Sequence, residues 1–153
     1  MNSNLPPKSQ SKTNGPDKVL STRAPEPVGP YPHARRVGDF IFVSGMGPRR
    51  PGTREIPGVL MDAMGRVQSY DIQSQTHSVI QNIRLVLEEM GASLADVVDV
   101  SVFLTNMKSD FADFNRIYGE YFATIGPTRT TVEVLSLPTP IAVELKVIAY
   151  RPR

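Results

Sequence analysis

Residues 71–104, "DIQSQTHSVIQNIRLVLEEMGASLADVVDVSVFL", decide the fold class. Ile72, Thr76, Val79, Ile80, Ile83, Leu87 and Met90 recur at intervals of three and four, so Asp71–Met90 reads as a helix with one apolar stripe. Gly91 stands where a C-terminal cap belongs. The pattern then changes, and the β-branched run Val97–Leu104 reads as a strand.

Downstream, a second helix is expected with Ser109 or Asp110 as N-cap. Its face carries Phe111, Phe114, Ile117, Tyr118, Tyr121, Phe122 and Ile125, and Gly126-Pro127 ends it. Two strands follow, Thr130–Leu135 and Val143–Tyr150, joined by the turn "LPTP". The last strand alternates cleanly. Val143, Leu145, Val147 and Ala149 share one face, which leaves Glu144 and Lys146 on the other.

Upstream, "RRVGDFIFVSG" is a hairpin signal, with Gly38-Asp39 as its turn before a strand Phe40–Ser44. Gly47–Gly65 is a long loop punctuated by Gly and Pro, of a length that is often functional. The order β-β-loop-α-β-α-β-β predicts an α+β two-layer domain with two helices against a mixed sheet. Residues 1–24 are poor in apolar side chains and read as a disordered tail, and 25–153 as one domain.

Composition narrows the function classes. The 153 residues suffice for a sizeable core, and no run approaches the ~20 apolar residues of a membrane span. There is no cysteine, which removes disulfides, thiolate metal sites and cysteine nucleophiles and fits a cytoplasmic protein. Overall there are 17 basic and 15 acidic residues, but residues 1–24 hold four of the basic and one of the acidic. The remaining 13 basic and 14 acidic residues lack the positive surplus of a nucleic-acid-binding domain. No phosphate-binding glycine loop, HExxH or GxSxG occurs, and the two histidines, His33 and His77, lie far apart. The expectation is chemistry with no metal and no cofactor, and no nucleic-acid or membrane partner.

Candidate site residues remain at the ends of the expected elements, Tyr31, Ser44, Arg129 and Glu144, with Arg49 and Arg50 in the long loop. Patterning alone favours an ordinary role for the polar ones. Tyr31 anchors a lead-in, Ser44 ends a strand, Arg49 and Arg50 are solvated, Arg129 blunts a sheet edge and Glu144 balances Lys146.

Four blocks taken together carry a more specific signal. "GPYPHARRVGDFIFVSG", "QTHSVIQNIRLVLEEMGASLADVVDVSVFLTNM", "DFADFNRIYGEYF" and "PTRTTVEVLSLPTPIAVELKVIAY" resemble the Rid family, the YjgF-like reactive-intermediate deaminases, from about Val28 to Tyr150. The variants "VSGMGPRRPG", "DAMG" and "GPTRTTV" look like its 2-aminomuconate deaminase branch. The resemblance implies a chorismate-mutase-like protomer in a homotrimeric barrel, with ligand sites in clefts between subunits. It also implies cofactor-independent hydrolysis of enamines and imines that releases ammonia. The family's carboxylate-gripping arginine falls on Arg129, its water-positioning glutamate on Glu144, its pocket tyrosine on Tyr31 and its Ser-Gly on Ser44-Gly45.

There are departures from the family pattern. Pro32-His33 replaces the common Ser-Gln after Gly-Pro-Tyr, Met46 replaces a glutamine, and Thr131 replaces a frequent cysteine. These changes point away from small imino acids and towards another ligand. The implied substrate is 2-aminomuconate, yielding 4-oxalocrotonate or 2-hydroxymuconate in aromatic catabolism. Its second carboxylate should meet a cation, for which His33, Arg49 and Arg50 are the candidates, or else face water from an uncharged pocket. A general 2-aminoacrylate deaminase and a non-catalytic ligand-binding or chaperone-like trimer stand as alternatives.

Overall fold

A computed structural model describes residues 17–153. Helix α1 runs Ile72–Glu89, with Asp71 as N-cap accepting from the Gln73 amide. Gly91 at φ 74° closes it in the left-handed conformation that suits glycine at a helix end. Its stripe of Val79, Ile80, Ile83, Val86 and Leu87 is wholly buried. Helix α2 runs Met107–Phe122 and begins earlier than expected. Asn106 caps it by accepting from the Ser109 amide at 3.2 Å, while Asp110 is buried and accepts from the Tyr70 hydroxyl at 2.6 Å. Two capping-competent residues within one turn left the choice to tertiary contacts.

Six strands form one sheet in the order β1-β2-β3-β8-β6-β7. They are β1 Lys18–Val19, β2 Ala34–Val37, β3 Phe40–Val43, β6 Val97–Leu104, β7 Thr128–Glu133 and β8 Val143–Tyr150. All neighbours are antiparallel except β6 and β7. Three details correct the expectations. β7 starts two residues early, so Arg129 lies inside it. β3 ends at Val43. The boundary of the tail at residue 24 is also too late, because Lys18–Val19 pair with β2 and Val19, Ser21 and Ala24 are buried. The rest of the expected tail, residues 1–16, lies outside the described residues.

The long loop has structure of its own. Strands β4 Leu60–Met61 and β5 Val67–Ser69 pair antiparallel, and an Asp62–Arg66 ion pair of 3.0 Å closes their turn. Both long helices cover the sheet face formed by Ile41, Val43, Val100, Val102, Leu104, Val143, Leu145, Val147 and Ala149. The opposite face is open. It displays Val37, Phe40, Phe42, Val132 and Tyr150, each about half exposed. Among the described residues no helix is long and apolar enough to cross a membrane.

Candidate active site

Glu144 is the first open-face residue of β8, beside Phe103 of β6. The chain leaving β3 runs alongside it. Met46 donates to the Leu145 carbonyl at 2.8 Å and accepts from the Leu145 amide at 3.0 Å, which places Gly45 against the carboxylate. A Cβ on Gly45 would lie 2.8 Å from Glu144 Oε2, so only glycine lets the carboxyl lie there. Burial raises the pKa of Glu144, and the nearby Lys146 ammonium opposes that rise. A carboxylate tuned upward is better placed to exchange protons near neutral pH.

Tyr31, Ser44, Gly45, Arg49 and Glu144 share one cavity of about 40 Å³. That is room for a few waters, far short of the ~300 Å³ of a ligand pocket. Ser44 is committed to the fold, since its Oγ donates to the Pro32 carbonyl at 2.7 Å. The Tyr31 hydroxyl accepts from the Val28 amide at 3.3 Å, and the residue as a whole is 39% exposed. A larger trough of about 450 Å³ adjoins at Pro138, Thr139 and Ile141, with Leu135 beside it 99% exposed. Its lining holds no carboxylate or cation, unlike that of the smaller cavity.

Of the three candidate cations, His33 and Arg49 line the cavity and Arg50 does not. His33 is buried, with Nδ1 accepting from the Ser21 amide at 2.9 Å and Nε2 facing the Pro25 carbonyl at 2.7 Å. This pairing fixes a neutral ring with the proton on Nε2, so His33 anchors the lead-in and offers no cation. Arg50 faces solvent and pairs with Glu55 at 3.4 Å. Arg49 lines the cavity, and its Nη2 donates to the Glu26 carbonyl at 2.6 Å.

Arg129 does not join this cavity. It sits opposite Val100 in the ladder, on the helix-covered face, with its guanidinium 4.8 Å from the Tyr118 ring and 5.7 Å from that of Phe114. Strand β6 intervenes between it and Glu144. Their backbones are two strand spacings apart across the sheet and three residues apart along it, about 10 Å in each direction, with side chains on opposite faces. One chain therefore does not bring the two together. No carboxylate among the described residues pairs with Arg129. In contrast, the buried Arg36 donates to the Arg151 carbonyl at 2.7 Å and the Met90 carbonyl at 3.0 Å.

Around Arg129 are polar side chains that the sequence reading did not place in the site: Tyr118 was read as part of the α2 face, Thr131 as a departure from the family pattern, and Asn115 not at all. Asn115 Oδ1, the Tyr118 hydroxyl and Thr131 Oγ1 are buried without a hydrogen-bond partner among the described residues. All three lie on α2 and β7, the elements that hold Arg129. Such atoms cost roughly 1–3 kcal/mol each if left unpaired; a fourth, Gln75 Nε2, lies on α1. Asn115, a polar residue next to the apolar stripe of α2, was the one sequence cue.

The family described as Endoribonuclease L-PSP (Ribonuc_L-PSP) matches residues 21–151. The chain belongs to this family, the Rid family. A RutC family protein of Pyrococcus abyssi is 44% identical over 133 residues, covering 87% of this chain and 95% of that one. The Escherichia coli protein named "Putative reactive intermediate deaminase TdcF" is 34% identical, covering 88% of this chain and 97% of its own. The structure of E. coli TdcF with bound serine superposes with TM-score 0.73 at 32% identity, covering 86% of this Rid chain and 95% of TdcF. RidA from a Psychrobacter species gives TM-score 0.74 at 32% identity, with 87% and 98% covered.

Proposed function

We propose that this Rid chain is a cofactor-independent deaminase that hydrolyses 2-aminomuconate in sites shared between copies of a homotrimer. The observation that carries this reading is the division of the two key groups. A desolvated carboxylate lies in a cavity too small for a substrate, and an arginine without a carboxylate partner lies on the other face of the same sheet. A second copy that applied its α2–β7 seam to the open face would bring Arg129 to Glu144. The half-exposed Val37, Phe40, Phe42, Val132 and Tyr150 give that face an apolar surface suited to association. The names of TdcF and the bound serine in its structure favour a deaminase that takes amino-acid-like carboxylates.

In this reading, the partner's Arg129 grips the carboxylate beside C2 through two parallel hydrogen bonds, a fork that lysine lacks. The enamine takes up a proton on carbon from solvent and loses one from nitrogen, giving the C2 imine. Glu144 accepts a proton from water as the oxygen bonds to C2, and the imine nitrogen is protonated to form a carbinolamine. Glu144 then returns its proton to nitrogen, the C2–N bond breaks, and the hydroxyl proton leaves as the C2 carbonyl forms. Imine plus water becomes 2-oxo acid plus ammonia. Proton transfer of this kind contributes typically ~10²–10⁴ in rate.

Freshly generated 2-aminomuconate, followed by loss of absorbance and release of ammonia, tests the proposal. Decay at the spontaneous rate refutes it. Turnover of 2-iminopropionate alone would instead make this a general imino-acid deaminase, and a monomer on sizing chromatography would remove the shared site.

A further inference from the structure

We infer that Arg49 selects for a second carboxylate at the far end of the substrate, and that Ser78 and Asn82 of α1 are positioning residues for it. This deepens the deaminase reading, on which it rests. The backbone that carries Arg49 is fastened to α1 at three consecutive carbonyls. Asn82 Nδ2 donates to the Gly47 and Arg49 carbonyls, both at 2.9 Å, and Ser78 Oγ donates to the Pro48 carbonyl at 2.7 Å. Asn82 is only 3% exposed, so its amide is devoted to this clamp.

The head of Arg49 is held as well as its backbone. Its bond to the Glu26 carbonyl spends one N–H of the five in a guanidinium, and the rest are left for a ligand. Arg50, one residue on, is fastened within its own loop instead: its amide donates to the Glu55 carbonyl at 2.8 Å, its carbonyl accepts from the Thr53 amide at 3.2 Å, and its head points to solvent and pairs with Glu55. With His33 held neutral, Arg49 is the cation on the cavity wall among the described residues. Glu144 and Gly45 line the same cavity, so a molecule at the carboxylate end reaches Arg49 by extending along the wall.

A site with Arg49 here and Arg129 supplied by a second copy has two cationic poles, one for each end of a dicarboxylate. A monocarboxylate would leave one pole unpaired. Charge-assisted bonds to that pole correspond to a preference of roughly 10- to 100-fold.

The test uses two unreactive six-carbon dienes of the same geometry that differ by one carboxylate, trans,trans-muconate and sorbate, titrated calorimetrically into the intact protein. Wild type should bind muconate at least tenfold more tightly, and Arg49→Gln should remove most of that preference. Ser78→Ala should remove part of it, and Asn82→Ala more where that variant folds. A wild type without the preference, one that fails to bind muconate at millimolar concentration, or an Arg49→Gln protein that keeps the preference overturns the inference. Arg49-dependent preference without turnover of 2-aminomuconate would fell the deaminase reading and leave the Arg49 assignment standing. Turnover with an Arg49-independent preference would do the reverse.

Discussion

The Glu144 cavity and the Arg129 seam are built to different degrees of completion. Around Glu144 the fold has closed its account: Ser44, His33 and Met46 are all hydrogen-bonded, and a glycine gives the carboxyl its place. On the elements that hold Arg129 three buried polar atoms lack partners among the described residues, and the cation rests on aromatic faces. Interiors rarely leave such groups unpaired, so the second region reads as half of an interface and the first as half of a reaction centre. A single chain explains the position of each half. Under the proposed function, assembly of copies supplies the reason that both exist.

The largest effect should come from the unfinished half. Arg129→Ala is expected to lower kcat/KM by at least roughly 10²–10³-fold, the cost of losing a charged donor at the reacting end. Sizing should show the oligomer unchanged, and Arg129→Lys should recover little. Dissociation of the oligomer would make the arginine a structural residue and break the comparison. Arg129→Ala and Glu144→Gln proteins, each inactive, should regain activity when unfolded and refolded together in equal amounts. In a cyclic trimer with one Arg129 and one Glu144 from different copies at each site, random mixing restores about a quarter of the sites. No recovery in verified mixed oligomers would refute a site shared between the two residues.

Gly45→Ala probes the finished half with a smaller perturbation. The new Cβ would meet the end of the Glu144 side chain at 2.8 Å, and that end can swing away while the backbone stays. Turnover should fall roughly tenfold, the loss expected when a proton acceptor is displaced by about 1 Å, with the melting temperature nearly unchanged. A large drop in stability would show that Gly45 serves the fold rather than the carboxyl.

The elements with strict periods were legible in the sequence. The limits of β6 and β8 were read as Val97–Leu104 and Val143–Tyr150, where the structure has them, because alternation over eight residues leaves little freedom of register. Helix α1 was off by one residue at each end. What failed depended on partners distant in sequence. The short turn after β7 suggested neighbouring final strands, yet β6 lies between them and turns Arg129 away from Glu144. Pairing across a sheet is set by non-local packing, which one segment does not encode. Glu144 was noticeable as a mid-strand charge, but its role and that of Arg129 came through the family resemblance. The clamp of Ser78 and Asn82 was hidden because both read as ordinary helix positions.

The smallest effect is the most specific to the carboxylate. Burial raises the Glu144 pKa above its ordinary value of 4.5, and Lys146 opposes that rise. Replacing Lys146 with methionine removes the opposing charge, so the pKa should climb further. The base form is then lost at higher pH, and the acid limb of the kcat/KM profile should move up. The sign for stability agrees. A carboxyl with a raised folded-state pKa stabilises the fold below its unfolded value, and that contribution disappears as pH rises through the folded value. Lys146→Met should therefore extend the loss to higher pH and tax the fold slightly more near neutrality. Lys146 Nζ also donates to the Val43 carbonyl at 3.0 Å, so Lys146→Arg is the control that keeps a charge and should leave the limb in place. An acid limb that stays fixed in Lys146→Met, or moves down, would mean that the limb is not the titration of Glu144. The finished half of the site would then lose its claim to the chemistry.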